Sequence, residues 1–111
     1  MKISELRQTK KYSDMILMYG PAVELYIENF TNEETWECDS PEAFEREFKS
    51  KYKFNYAHVR DFTFKMLQKA TIAEALKHYI DSQKYHDELT GENGGFISFE
   101  KNTFFWLFKE S

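Results

Sequence analysis

The sequence has only one cysteine, Cys38, so no disulfide can form within the chain, and a reducing compartment, the cytoplasm, is its expected setting. Two prolines and four glycines are too few for a collagen-like or low-complexity protein, and an aromatic content of 18% excludes a disordered one. No apolar run approaches the ~18 residues needed to cross a membrane. The apolar stretch 15–19 is cut short by Gly20-Pro21, and no small-residue cleavage site follows, so no secretion signal is expected.

Chemistry-bearing patterns are equally sparse. His78 and His86 lie eight residues apart, off the i,i+4 spacing that sets two ligands on one helical face, so no metal is expected. His86-Asp87-Glu88 reads as a solvated helix end. Cys38 stands between Glu37 and Asp39, which disfavour a thiolate, and reads as a buried structural cysteine. The run Gly91-Glu92-Asn93-Gly94-Gly95 lacks the Lys-Ser/Thr ending of a phosphate loop and reads as a turn. Glu42 and Glu45 have the residue type for acid–base work but sit on an exposed helix face. The expectation is a protein that is not an enzyme and carries no cofactor.

What is present is charge, unevenly placed. Residues 24–48 hold nine acids, Glu24, Glu28, Glu33, Glu34, Glu37, Asp39, Glu42, Glu45 and Glu47, against one base, Arg46. The segments on either side are each slightly basic. Like charges at helical i,i+4 spacing, such as Glu24 and Glu28, cost about 0.2–0.5 kcal/mol per pair. The segment is therefore either a solvated face or a field built to meet a basic partner. Nucleic acid itself is not the expected ligand, because phosphate binding needs clustered Lys and Arg.

The 111 residues make one domain's worth of chain. Residues 3–11 have the pattern of a short helix, and 15–19 that of a strand or the helix's continuation. A helix is expected over 22–30 behind Pro21, with Glu24 and Glu28 on its polar side. Asp39-Ser40-Pro41-Glu42 is a strong helix start: a hydroxyl cap, a preset φ and an acid facing the dipole. Phe44 and Phe48, one turn apart, form that helix's inner stripe. Residues 52–66 alternate with period two and read as one long or two short strands, placing Phe62, Phe64 and Met66 on one face; a helix over 56–68 is the competing reading. Thr71-Ile72-Ala73-Glu74 matches a capping box opening a helix to about Asp87. A hairpin follows, from 96–99 to 103–108 through a Lys101-Asn102 turn, and its second strand, apolar on both faces, belongs inside the sheet. The expected fold is α+β, with helices packed on a small, mainly antiparallel sheet in a single domain.

The stretch Trp36-Glu37-Cys38-Asp39-Ser40-Pro41-Glu42 resembles the W-E-C-E-S-I-E-E that opens a helix in the staphylococcal uracil-DNA glycosylase inhibitor family. Tyr26-Ile27-Glu28-Asn29-Phe30 is similar to that family's Y-I-T-N-L-F, and Val59-Arg60 and Lys65-Met66-Leu67-Gln68 to its V-R and K-I-L-Q. The likeness covers about half the chain, 26–68. By that resemblance residues 1–20 are an N-terminal extension and 21–111 an inhibitor-like core. Pro41 and Ala43 depart from the family's isoleucine and glutamate.

The resemblance implies a DNA mimic of phage or mobile-element origin that binds uracil-DNA glycosylase, and the self-repelling acidic segment adds the expectation of a monomer alone and a 1:1 complex. Its carboxylates would stand in for phosphates in the enzyme's groove, and an apolar pocket would enclose the enzyme's DNA-inserting leucine. Carried over by position, Glu37, Asp39, Ser40 and Glu42 are the partner-binding residues. The acidic run adds Glu24, Glu28 and Glu45, and alternation alone offers Phe62, Phe64 and Met66 as the pocket. The alternative is another acidic inhibitor of a nucleic-acid enzyme: an immunity protein for a nuclease toxin, or a phage anti-CRISPR protein.

Overall fold

A computed structural model of the chain describes residues 1–67, 81–91 and 94–110. The chain divides into two compact units, Met1–Tyr52 and Lys53–Ser111. Together they carry the mixed α+β content expected from the sequence, with helices and a three-stranded antiparallel sheet.

The first unit is helical: α1 (Ile3–Leu6), α2 (Lys10–Tyr19), α3 (Ala22–Phe30) and α4 (Pro41–Lys51). Residues 15–19 continue α2 and are not a strand. Thr9 caps α2, accepting from the Tyr12 amide, and Gly20 ends it at φ 61°, a left-handed value that favours glycine. Residues 1–20, read from the sequence as an extension, supply Ile3, Leu6 and Met15 to the buried interior. On α3, Val23, Ile27 and the Leu25–Tyr26 pair are buried, and on α4 so are Phe44 and Phe48, as their spacing requires. Tyr26 meets Phe44 and Phe48 edge-on, each at 5.7 Å, an arrangement adding about 0.5–1.5 kcal/mol per pair beyond burial.

The start of α4 forms as the sequence dictates. Ser40 is extended and its Oγ accepts from the Ala43 amide at 3.1 Å, with Pro41 in the first turn. Ser40→Ala is expected to lower unfolding free energy by about 1 kcal/mol, whereas Ser40→Asp, which restores the cap, should not. Equal losses in both variants, measured by chemical denaturation, would assign the hydroxyl another role.

Strand β1 (Tyr52–Tyr56) starts on the last residue of the first unit and otherwise belongs to the second, which continues with α5 (Val59–Leu67), α6 (Ser82–Leu89), β2 (Phe96–Lys101) and β3 (Phe104–Lys109). Here the period-two reading of 52–66 fails beyond Tyr56. Residues 59–67 form a helix whose inner stripe is Val59, Phe62, Thr63, Met66 and Leu67, an i, i+3, i+4, i+7, i+8 pattern. The amides of Asp61 and Phe62 start that helix on the His58 carbonyl.

Asp81 is extended and caps α6 through the Lys84 amide, so no single helix runs from Thr71 to Asp87. The capping box at 71–74 lies outside the described residues. β2 and β3 pair antiparallel, Phe96 with Lys109 through Lys101 with Phe104, and β3 is the central strand of the order β1-β3-β2. That is the interior place its two apolar faces demand. The turn is one residue later than expected: Asn102 and Thr103 take φ 55° and 66°, the positive pair a tight hairpin requires. Gly94 lies so close to the end of α6 that an added Cβ would stand 2.1 Å from the Leu89 carbonyl oxygen.

Candidate functional site

The acidic segment occupies the first unit, on α3, on the connection 31–40 and on α4. Its nine carboxylates divide into two groups. Three are held by cations from the N-terminal helices. Arg7 grips two of them at once: Nε and Nη2 donate to the two oxygens of Glu24 at 3.2 and 2.9 Å, and Nη1 and Nη2 to Glu33, both at 3.1 Å. The Tyr12 hydroxyl also donates to Glu24. Lys11 Nζ lies 3.1 Å from Glu45 Oε1. These hydrogen bonds hold the Arg7 guanidinium, Glu24 first and Glu33 second, well above the usual arginine range, and draw Glu33 below the ordinary carboxylate range.

The other six, Glu28, Glu34, Glu37, Asp39, Glu42 and Glu47, are exposed, and among the described residues none enters an ion pair. Of the carboxylates singled out from sequence, Glu28, Glu37, Asp39 and Glu42 are thus open to a partner, while Glu24 and Glu45 are engaged inside the fold. Ser40 spends its hydroxyl on the helix cap.

The Trp36-Glu37-Cys38 stretch has a local reason to exist. Trp36 packs edge-on against Phe44 at 5.6 Å. Glu37 bridges Lys2 in antiparallel fashion, and the Cys38 amide and carbonyl bond the carbonyl and ammonium of Met1, both at 2.9 Å. Cys38 is half-buried where full burial was expected, because its neighbours on the bridge are exposed. Burial chiefly, with Glu47 and Asp39 adding, pushes its thiol up, so a thiolate is disfavoured.

Three tyrosines of this unit share a protonation signature. Burial chiefly raises Tyr12, Tyr26 and Tyr52 to about 12, with Glu24 adding at Tyr12 and Glu47 at Tyr26. An unfolded tyrosine ionises near 10, so between about pH 10 and 12 the folded state holds protons that the unfolded state releases. Stability is therefore full below pH 10 and falls as pH rises toward 12. A pH series of melting curves, followed alongside tyrosinate absorbance, is expected to show these tyrosines ionising late and together with loss of the fold. Ionisation near pH 10 with an unchanged melting temperature would contradict it.

The apolar trio Phe62, Phe64 and Met66 shares no face. On α5, residues two apart point about 200° apart around the axis. Phe62 is fully buried against Tyr56 and Leu107, Met66 packs on that same cluster, and Phe64 is 62% exposed. They form no common pocket wall.

The second unit holds a polar cluster that the sequence did not disclose. His86, read as a solvated helix end, is only 8% exposed. Its Nε2 hydrogen-bonds the Tyr56 hydroxyl at 2.5 Å, which also bonds Ser98 Oγ at 2.8 Å, joining β1, α6 and β2. The ring packs edge-on against Phe62 at 4.8 Å, and Asp87 Oδ1 lies 3.6 Å from Nδ1. Burial follows from position: Tyr85, His86 and Leu89 make the inner side of α6, a stripe that a histidine interrupts and so hides from a hydrophobicity scan. Among the described residues, no group of three His, Cys, Asp or Glu could hold a metal ion, and no helix is long and apolar enough to cross a membrane.

Set against known proteins, the chain matches no protein-family model, no curated protein and no solved structure.

Proposed function

We propose that the first unit is a DNA mimic that docks into the basic nucleic-acid groove of a partner enzyme, and that the partner is uracil-DNA glycosylase. The observation that carries this reading is the division of the acids. The fold pairs Glu24, Glu33 and Glu45 with its own Arg7 and Lys11 and leaves Glu28, Glu34, Glu37, Asp39, Glu42 and Glu47 exposed. Charges that served only folding would be paired or dispersed. Six exposed carboxylates on one 52-residue unit give it a negative field that a basic groove would complement. The resemblance at Trp36-Glu37-Cys38-Asp39-Ser40-Pro41-Glu42 supports the glycosylase as the particular enzyme.

In this reading the protein catalyses nothing. Its carboxylates accept from the lysines and arginines that otherwise grip phosphates, and the occupied groove cannot admit DNA. The protein works as a monomer in the reducing cytoplasm and binds its enzyme 1:1. Encounter is steered by charge, and the Debye length of about 8 Å at physiological ionic strength sets how far that steering reaches. The test is uracil excision from DNA with and without the protein, at low and high salt. Excision is expected to stop at a 1:1 ratio, with the association rate falling steeply as salt rises. Unchanged excision at a large excess of the protein would remove the glycosylase as the partner, and a salt-independent association rate would remove the mimicry.

A further inference from the structure

We draw no further inference here: the strongest candidate, the surface patch on α2 where Leu17 and Met18 are 87% and 69% exposed, is bordered on its own helix by charges of both signs, Lys10 and Asp14, and nothing in the structure shows what covers it.

Discussion

Under the proposed function, the double variant Glu37→Gln with Asp39→Asn is expected to melt within a few degrees of the parent protein and to inhibit uracil excision at least about tenfold more weakly. Both side chains are exposed. The groups that build the local structure are others: the Ser40 hydroxyl, the Trp36 ring, and the backbone bridges to Lys2 and Met1. Amide replacements retain shape, remove the charge and turn one acceptor oxygen into a donor, and because both side chains lie in water the fold has little reason to notice. A groove that excludes water does. Losing one partner of a buried, charge-assisted pair costs about 2–5 kcal/mol of binding, and tenfold corresponds to about 1.4 kcal/mol. A folded double variant that inhibits as well as the parent would move the binding face away from this motif, toward Glu28 and Glu47.

The second large effect is a contrast between two phenylalanines. Phe62→Ala is expected to destabilise by about 3–5 kcal/mol, and Phe64→Ala by no more than about 0.5 kcal/mol. Phe62 is fully buried and touches the rings of Tyr56 at 5.2 Å, Tyr85 at 6.0 Å and His86 at 4.8 Å. Truncating it opens a cavity in the second unit's core. Phe64 faces water from the other side of the helix. Chemical denaturation of the two variants measures the difference directly. Similar losses at both positions would mean that 59–67 is a strand with both phenylalanines on one buried face, and the helix would be wrong.

That contrast also shows what the sequence could disclose. Local rules with a single reading came through: the cap at Ser40-Pro41, the stripe of Phe44 and Phe48, and a central strand wherever both faces are apolar. Phe62, Phe64 and Met66 misled because two periodicities overlap there. The alternation is real as spelling, but Val59, Phe62, Thr63, Met66 and Leu67 satisfy the helical period over more residues. The hairpin turn slipped by one because Thr103, β-branched, adopts a positive φ that propensity assigns to Gly or Asn. Of the acidic face, the total charge was legible and its division was not. Arg7 meets Glu24 and Glu33 across 17 and 26 residues, beyond any local pattern. The burial of His86 depends on Tyr56 and Ser98, 30 residues before it and 12 after, and is hidden for the same reason.

One guanidinium holding two carboxylates makes Arg7 a position where, under the proposed function, robustness and potency oppose each other. A neutral residue there would release two carboxylates and make the outer field one charge more negative, hastening encounter with a basic groove. The same change would leave Glu24, half-buried beside Tyr12, without its cation and loosen the tie between α1 and α3. Variation at position 7 would then trade durability of the fold against speed of capture, and a lineage selected for either property would record that choice in this one side chain.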